Sequence, residues 1–356
     1  MERGLLMLIS HKCNLDCKYC YEQHKEDRLM TWQQAEKILI TEFTNQLKPI
    51  DYVDLIGGEP LSNFELITKI CDWVWKYSPQ TPFFCRTNGT LLTLNMKKWF
   101  QEHKKKFTLG LSIDGTPLVN YINRGVLDRY IDYNFFFKHW PKNPIKITIF
   151  PTTAHLLSDS VITLHNKGFM LTGDIARGVL WNEQHCEILR LQLDKLVNYY
   201  LCNPLINPIE PLFNVGFEQM NLSHSYPMEI PCWKNGNIHT YDCDGRIPCH
   251  MFSSIVQGVN KTNIMREAEN LQNVPIHEKC FTCSIRWRCK NCMAMNYHFF
   301  NDFAKNINLQ FNCHAHMIAA KAAAKFLILK FSQREITNDI EFKALSNALT
   351  FYQSFL

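Results

Sequence analysis

The sequence of 356 residues contains no apolar run near the roughly 18 residues that a membrane-spanning helix needs. Its first apolar segment, Leu5–Ile9, is too short for the hydrophobic region of a secretory signal, and no cleavage site follows it. No internal repeat and no low-complexity tract is present. These absences argue against a membrane or secreted protein and predict a cytoplasmic location.

A strong charge of either sign is also missing. The formal net charge is only +5, and the one short basic run, His103–Lys106, ends a helix-like segment. This mild charge is compatible with an anionic ligand but does not indicate a nucleic-acid partner. The length allows one large domain and a smaller one.

Cysteine, by contrast, is abundant, with fifteen residues. Because the cytosol keeps disulfides reduced, we interpret these cysteines as metal ligands or free thiols. Cys13, Cys17 and Cys20 follow the strand-like run Leu5–Ile9 in the pattern C-x3-C-x2-C. Three thiolates on one short loop can hold three irons of a four-iron, four-sulfur cube and leave the fourth iron open. The alternative interpretations are a zinc loop and three unrelated free thiols.

The first half of the chain alternates strand-like and helix-like patterns. The strand-like runs are Leu5–Ser10, Tyr52–Ile56, Phe83–Thr87, Leu109–Ile113, Ile145–Phe150 and Met170–Asp174. Helices are predicted after the capping residue Thr31 and over Phe64–Tyr77, Asn95–Lys105, Val126–His139, Ser158–Lys167 and Asn182–Leu201. Six β/α units indicate a parallel sheet with helices outside, either an open sheet or an incomplete barrel. Ligands bind such folds where strands end, and the cysteine loop follows the first strand.

A second group of eight cysteines lies in the C-terminal third. It comprises Cys232, Cys243, Cys249, Cys280, Cys283, Cys289, Cys292 and Cys313. Eight thiolates suffice for two fully ligated four-iron cubes, whereas paired C-x2-C spacing also suits two structural zinc sites. Asp244–Gly245 predicts a hairpin turn in this region, and Cys313–Phe331 predicts a helix. The remaining four cysteines, Cys71, Cys85, Cys186 and Cys202, are predicted to be inert core thiols.

The N-terminal motifs resemble those of the radical S-adenosylmethionine (SAM) superfamily. The segment His11–Cys20 matches its cluster signature, including the aromatic Tyr19 before the last cysteine. Further matches follow in order at later strand ends, namely Gly57-Gly58-Glu59-Pro60, Thr87-Asn88-Gly89, Ser112-Ile113-Asp114-Gly115 and Arg124 in Asn123-Arg124-Gly125. The resemblance implies an α/β fold built as an incomplete (β/α)6 barrel.

The same resemblance implies how SAM is held. Gly57 and Gly58 would let the backbone approach closely, with Glu59 of the same GGEP motif against the SAM ammonium. Ser112 would meet the ribose, Arg124 would meet the SAM carboxylate, and further cofactor contacts are expected at Tyr19, Pro60, Asn88 and Asp114. SAM would chelate the open iron, and one electron would cleave it to a 5′-deoxyadenosyl radical that abstracts a substrate hydrogen.

The C-terminal cysteines resemble the SPASM domain of peptide-modifying radical SAM enzymes, which holds two auxiliary clusters. The chain departs from that pattern twice: three residues, not four, separate Gly245 from Cys249, and two, not three, separate Cys289 from Cys292. The resemblance assigns one ligand set to the nearer cluster (Cys232, Cys249, Cys292) and another to the farther cluster (Cys280, Cys283, Cys289, Cys313). We infer Cys243 as the fourth ligand of the nearer cluster by counting alone.

His250 follows Cys249 at the position where anaerobic sulfatase maturases carry a base aspartate, whereas peptide cross-linking maturases often have histidine there. His250 is therefore a candidate catalytic base, and its alternative role is a hydrogen bond to cluster sulfur. We expect a peptide maturase of the ribosomal natural-product type with three four-iron clusters and SAM. Alternatives are sulfatase-type maturation, small-molecule oxidation, or a non-catalytic zinc protein.

The predicted boundaries are residues 1–200 for the partial barrel, 201–227 for a connector, 228–330 for the auxiliary-cluster domain and 331–356 for a helical tail. Only twelve residues precede Cys13, which leaves no room for an N-terminal leader-binding module. The expected partners are therefore a peptide or small-protein substrate, bound directly or through a separate leader-binding protein, and a flavodoxin or ferredoxin as reductant.

Overall fold

The computed structural model describes residues 3–22, 25–44, 49–209, 216–220, 237–255, 261–271, 277–286, 289, 291–303 and 305–354. The chain divides into two compact units that interleave along the sequence. Unit 1 comprises Met1–Ser112, Arg124–Asn143 and Glu229–Val274. Unit 2 comprises Ile113–Asn123, Pro144–Met228 and Pro275–Leu356. The domain boundaries expected from the sequence stay a prediction.

In the part of the chain that the structure describes, eight strands form two sheets. The strands are β1 (Arg3–Ser10), β2 (Tyr52–Gly57), β3 (Phe83–Thr87), β4 (Phe107–Leu111), β5 (Ile145–Ile149), β6 (Leu171–Ile175), β7 (Asn237–Asp242) and β8 (Gly245–Ile247). In unit 1 the strand order is β4-β3-β2-β1-β7-β8, and every neighbouring pair is parallel except β7 and β8. β5 and β6 form a parallel pair in unit 2.

Fourteen α-helices lie in the described part of the chain. They are α1 (Trp32–Thr44), α2 (Phe64–Tyr77), α3 (Leu94–His103), α4 (Pro117–Arg124), α5 (Tyr133–His139), α6 (Leu157–Asn166), α7 (Glu183–Cys202), α8 (His250–Ile255), α9 (Lys261–Asn270), α10 (Glu278–Phe281), α11 (Met293–Phe300), α12 (Ile307–Phe311), α13 (Cys313–Ser332) and α14 (Asp339–Gln353). Among them, none is both long and apolar enough to cross a membrane.

The α/β alternation and the parallel strands are confirmed. All six predicted strands are present, and α2 begins and ends at the predicted residues. The single helix expected over Val126–His139 is wrong, because Leu127 and Ile131 adopt extended backbone with ψ of 134° and 119°. Asp132 then caps a separate, shorter helix by accepting the Phe135 N–H at 3.1 Å. The C-terminal third also contains more helix than its pattern indicates, because α8 and α10–α12 are too short to show a period.

The predicted hairpin at Asp244–Gly245 is present as β7 and β8, and the structure adds β7 to the sheet beside β1. A buried carboxylate fastens this edge: Glu42 of α1 accepts hydrogen bonds from Arg3 of β1 and from His239 and Tyr241 of β7. Burial opposes ionisation of Glu42, yet these three partners together lower its pKa. The β7–β8 hairpin, which carries Cys243 in its turn, is thus tied to the first strand.

In unit 2 the long helices pack against one another through small residues. Ala320, Ala323 and Ala324 of α13 lie in one buried cluster with Ala348 and Phe351 of α14. Alanine allows close helix approach, and the buried aromatic ring fills the remaining space. The helix predicted over Cys313–Phe331 is therefore confirmed as α13, within one residue of its predicted end.

Candidate functional site

The three N-terminal cysteines lie on the loop that follows β1, and all three are half-buried. Local hydrogen bonds shape this loop: the Cys20 N–H donates to the Cys17 carbonyl at 3.0 Å, and the Leu15 N–H donates to Cys13 Sγ at 3.5 Å. Lys25 Nζ donates to the Leu15 carbonyl at 2.7 Å and pairs with Asp16 at 2.8 Å. The loop therefore has a defined path, which its own backbone and the Lys25 side chain set.

Gly57 and Gly58 lie directly against the stem of this cysteine loop. The Gly58 N–H donates to the Ser10 carbonyl and the Glu59 N–H to the Lys12 carbonyl, both at 2.8 Å. A Cβ at Gly58 would stand 2.6 Å from the Lys12 carbonyl oxygen, closer than side-chain carbons come to backbone. The glycines thus permit the close backbone approach that the motif predicted. In the structure, the backbone that they approach is that of the chain's own cysteine loop.

Glu59 is buried, with 1% of its surface exposed, and both its carboxylate oxygens accept hydrogen bonds. Oε1 accepts from the Thr87 hydroxyl at 2.6 Å and from the Leu61 N–H at 3.1 Å, while Oε2 accepts from the Asn88 N–H at 2.9 Å. Burial raises the pKa of Glu59, and these donors oppose the rise. The carboxylate therefore joins the end of β2 to the end of β3, and its contact with a SAM ammonium stays a prediction.

Asn14, which the sequence analysis did not single out, connects the cysteine loop to the end of β3. Asn88 Nδ2 donates to Asn14 Oδ1 at 3.0 Å, and Asn14 Nδ2 donates to the Thr90 hydroxyl at 2.7 Å. Asn88 Oδ1 accepts from the Thr90 hydroxyl at 2.7 Å and closes the ring. Only the position of Asn14 between Cys13 and Cys17 could have suggested this role.

Arg124 and Tyr19 form the cationic side of the site. The Arg124 guanidinium lies 5.7 Å from the centre of the Tyr19 ring, within cation–π distance. Arg124 is buried and close enough to Cys13 and Glu59 to favour their charged forms. A buried cation near Cys13 suits an anionic group such as a carboxylate.

The thiols of the loop also affect one another's ionisation. Burial raises the pKa values of Cys13 and Cys20, and the nearby Cys13 adds to the rise at Cys20 while Lys25 opposes it. Three thiols gathered in a half-buried loop are the donor set that a four-iron cube with one open iron requires. The donor set and the glycine cradle at Gly58 therefore fit such a cluster.

Ser112 and Asp114 follow β4, which ends at Leu111. The half-buried Ser112 donates its N–H to the Thr87 carbonyl at 2.9 Å, within unit 1. In unit 2, the buried Asp114 accepts from the Thr148 N–H at 3.0 Å and from Asn123 Nδ2 at 3.2 Å. These bonds give Asp114 a structural role between α4 and β5, and cofactor contacts at both residues stay predictions.

His250 begins α8 and lies beside the cysteine loop. Its ring meets that of Tyr21 edge to face, with centroids 5.6 Å apart. Burial raises the pKa of Tyr21, and the nearby Glu22, Cys20, Asp54 and Cys249 add to the rise. Tyr21 therefore lies between the cluster loop and the His250 segment, which places the candidate base close to the predicted SAM site.

Asp54 and Arg86 are a pair that the sequence analysis missed as a site. They lie on the neighbouring strands β2 and β3, where Asp54 is directly opposite Phe84. Arg86 follows Phe84 by two residues, so the side chains of Asp54 and Arg86 lie on the same face of the sheet. Asp54 Oδ1 and Arg86 Nη1 are shielded from solvent, and neither atom makes a hydrogen bond to the residues that the structure describes. Burial raises the pKa of Asp54 to about 7 and lowers that of Arg86, each partly offset by the other. The signal in the sequence was a single charged residue within each of these two strands.

Four C-terminal cysteines converge in unit 2. Burial raises the pKa of Cys289 to about 12, and Cys313, Cys283 and Cys280 add to the rise. Burial likewise raises the pKa of Cys313, with contributions from Cys283 and Cys280. These four are the residues that the sequence analysis assigned to the farther cluster.

The predicted ligands of the nearer cluster are more scattered. Cys232 lies outside the described residues, Cys243 and Cys249 belong to unit 1, and Cys292 belongs to unit 2. Burial raises the pKa of Cys243 to about 11, and Arg28 opposes this rise. Arg28 also pairs with Asp244 at 2.7 Å, which anchors the turn. The ligand set of this cluster stays a prediction.

Four cysteines were expected to be core thiols. Cys71, Cys85 and Cys186 are buried, and burial raises their pKa values, as expected of inert thiols. The prediction for Cys202 is wrong, because this residue is exposed at the last position of α7. The end of an amphipathic helix need not keep its apolar face covered.

Within the described ranges, no three His, Cys, Asp or Glu side chains are grouped tightly enough to hold one metal ion. A four-iron cube makes a different demand, because each thiolate binds a separate iron and the sulfurs surround the cube. The wider spacing of the thiols in both cysteine groups is therefore compatible with a four-iron cluster, although it does not suit a single metal ion.

The comparisons with known proteins agree with this geometry. Residues 7–126 match the model of the radical SAM superfamily. An uncharacterized protein of Methanocaldococcus jannaschii is 34% identical over 120 residues, which are 33% of this chain and 40% of that protein. The cysteine-type anaerobic sulfatase-maturating enzyme of Clostridium novyi is 27% identical over 180 residues, or 46% of this chain and 45% of that enzyme. The matched segments thus span less than half of these relatives.

Solved structures extend the likeness to most of the chain. The structure of anSMEcpe with bound AdoMet and the Cp18Cys peptide has a TM-score of 0.66 at 19% identity, over 94% of this chain and 100% of that one. Streptococcus suis SuiB bound to its precursor peptide SuiA has a TM-score of 0.60 at 14% identity, over 86% and 75% of the two chains. At such identities the likeness shows a shared fold.

Proposed function

Because residues 7–126 form a radical SAM domain, we propose that this chain is a radical SAM enzyme that modifies a peptide. When bound, the cluster and SAM supply a 5′-deoxyadenosyl radical that removes a hydrogen atom from the substrate. The chain's own residues hold these groups, orient them and exclude water. The expected product is a peptide altered at a side chain or at an α-carbon.

One observation carries the proposal: the cysteine loop is fastened to the ends of two neighbouring strands. The backbone at Gly58 and Glu59 bonds to Ser10 and Lys12, and Asn14 bonds to Asn88 beyond β3. Carboxyl ends of parallel strands are where α/β proteins bind ligands. A loop held there can present three thiolates toward one bound cluster.

Arg124 would give this site a preference for a carboxylate. The guanidinium is buried against Tyr19 and is close to Cys13, so it can hold an anionic group next to the loop. We assign it to the SAM carboxylate. The SAM ammonium would face the Gly57–Pro60 segment, and its ribose would face Ser112.

A peptide substrate is supported by the folds that this chain shares. The chain has the fold of anSMEcpe, which was solved with a bound peptide, and of SuiB, which was solved with a precursor peptide. We therefore propose a peptide, or a peptide segment of a small protein, as the substrate.

The auxiliary cysteines would serve electron transfer. We propose that Cys280, Cys283, Cys289 and Cys313 hold one four-iron cluster and that the nearer cysteines hold a second, which take up the electron left after product forms. His250, next to Tyr21, would act as the base that removes the accompanying proton. A flavodoxin or ferredoxin would reduce the SAM cluster.

Sulfatase-type maturation is the second candidate, because a sulfatase-maturating enzyme is among the relatives. His250 in place of the aspartate of that class favours the peptide maturases. Small-molecule oxidation and a zinc-binding protein are the remaining alternatives. Mass spectrometry of a sulfatase-derived peptide after incubation with the enzyme separates the first alternative, and metal analysis separates the last.

The decisive experiment uses anaerobically reconstituted protein. We expect about twelve irons per chain, no zinc, and 5′-deoxyadenosine from SAM plus dithionite. Replacing Cys13, Cys17 and Cys20 by alanine should remove about four irons and abolish SAM cleavage. Cys202→Ala is the matched control, because this exposed cysteine belongs to neither group. Continued SAM cleavage by the triple variant would refute the proposal.

A further inference from the structure

Two asparagine side chains point at the sulfurs of the four-cysteine group in unit 2. Asn306 Nδ2 donates to Cys280 Sγ at 3.4 Å, and Asn308 Nδ2 donates to Cys289 Sγ at 3.2 Å. Hydrogen bonds to sulfur are longer than hydrogen bonds to oxygen because the sulfur atom is larger. Both distances are therefore within the hydrogen-bonding range for a sulfur acceptor. Neither asparagine belongs to a motif that the sequence analysis considered.

Both amides are held in place. Asn306 caps α12, with its Oδ1 accepting the Asn308 N–H at 3.0 Å, which turns its Nδ2 toward Cys280. Asn308 is only 2% exposed. The buried Asn296 supports the segment from behind, since its Oδ1 accepts the Ile307 N–H at 2.9 Å and its Nδ2 donates to the Phe303 carbonyl at 3.2 Å. Both amides are therefore held within hydrogen-bonding distance of a cysteine sulfur, which accepts more strongly as a thiolate than as a thiol.

Hydrogen-bond donors to the ligating sulfurs favour one redox state of a bound cluster over the other. An N–H donor stabilises negative charge on a thiolate, and reduction adds one electron to the cluster that the thiolates bind. The donor therefore favours the reduced state over the oxidised state. Cys313 stands at the first position of the 20-residue helix α13, where the helix dipole acts in the same direction.

We propose that Asn306 and Asn308 are positioning residues that raise the reduction potential of a cluster bound by Cys280, Cys283, Cys289 and Cys313. This inference rests on the proposed function, which places a four-iron cluster at these cysteines. A raised potential suits a cluster that accepts an electron from product formation, because the electron then moves from the substrate-derived radical to the cluster. The two amides thus bias this unit toward electron uptake.

The test compares reduction potentials by electron paramagnetic resonance at a series of set potentials. The full-length protein carries alanine at Cys13, Cys17 and Cys20, so that the SAM cluster does not contribute to the spectrum. Asn308→Leu removes the donor with little change in volume, and Asn306→Ser keeps a capping hydroxyl while losing the reach to sulfur. For each variant we expect the ratio of reduced to oxidised cluster at a fixed potential to fall on the order of tenfold, which is about 59 mV.

The control is Asn347→Leu, because Asn347 also donates from its amide but to the Phe217 and Met220 carbonyls at 2.7 and 3.2 Å. Its potential should equal that of the parent. An unchanged potential in both test variants, or the same fall in Asn347→Leu, overturns the inference. Iron analysis is done first: loss of about four irons in Cys280→Ala with Cys289→Ala establishes the cluster. If no iron is lost, the cluster assignment of the proposed function fails as well.

A second measurement needs no folded variant. The parent protein is grown with ¹⁵N-asparagine, and the reduced cluster is examined for hyperfine coupling to the side-chain nitrogen. A hydrogen bond to a ligating sulfur carries spin density to the donor, so we expect a ¹⁵N coupling. Absence of any such coupling would overturn the inference even if Asn308→Leu fails to bind iron.

Discussion

Asp54 offers the sharpest test of the electrostatics within unit 1. Burial raises its pKa from 3.8 to about 7, with Arg86 opposing the rise. The native state therefore holds this proton more tightly than the unfolded state does. The stabilising effect is fully present below about pH 4 and is lost as the pH rises through about 7, at a total cost of about 4 kcal/mol.

Asp54→Asn preserves the shape of the side chain and removes the titration. Between about pH 5 and about pH 8 we expect the variant to gain about 2.5 kcal/mol in free energy of unfolding relative to the parent. The assay is urea unfolding of the reconstituted full-length protein under argon, followed by tryptophan fluorescence, with the free energies compared at equal slope. Asp72→Asn is the control, since Asp72 is an exposed carboxylate on α2.

A pH-independent difference between Asp54→Asn and the parent would refute this reasoning. It would mean that Asp54 stays ionised throughout and that Arg86 compensates the charge fully. The same difference for Asp72→Asn would show that the effect comes from net charge and not from burial.

Three further substitutions address the cysteine loop. Gly58→Ala would bring a Cβ to 2.6 Å from the Lys12 carbonyl, so we expect a displaced loop and loss of about four irons by metal analysis. Glu59→Gln would place an NH₂ group opposite the Asn88 N–H, so we expect the free energy of unfolding, measured in urea, to fall by about 1–3 kcal/mol. An unchanged urea midpoint would contradict the observed hydrogen bond. Asn14→Ala removes one exposed and one partly buried hydrogen bond, so we expect a loss of about 1 kcal/mol in free energy of unfolding and faster iron release to a chelator. Equal release rates would count against this anchoring role.

Local patterns in the sequence predicted the strands well because they depend on near neighbours. The alternation of Phe83–Thr87 and the apolar run after Leu5 each suffice to indicate a buried strand. Helix limits were predictable where a cap or a long apolar face exists, as in α2. They failed over Val126–His139, where the extended residues Leu127 and Ile131 interrupt the predicted helix.

The partners of buried polar groups could not be predicted in the same way. Glu59 was expected to meet a ligand, yet its carboxylate bonds to Thr87 and Asn88, 28 and 29 positions away in the chain. Asn14 had no visible signal beyond its place between two cysteines. Hydrogen bonds of this kind depend on which strands become neighbours, and that is decided by the packing of the whole sheet.

The amino-acid sequence by itself determined the chemistry available to this protein: three thiols on one loop, a glycine pair beyond the second strand, and eight further cysteines. Tertiary structure alone decided which of these groups meet. Cys280 and Cys313 lie 33 positions apart, yet they lie close together with the Asn306 and Asn308 amides, because α13 folds back onto its unit. Spacing along a chain restricts only near neighbours, whereas contacts between distant residues follow from burying apolar faces together.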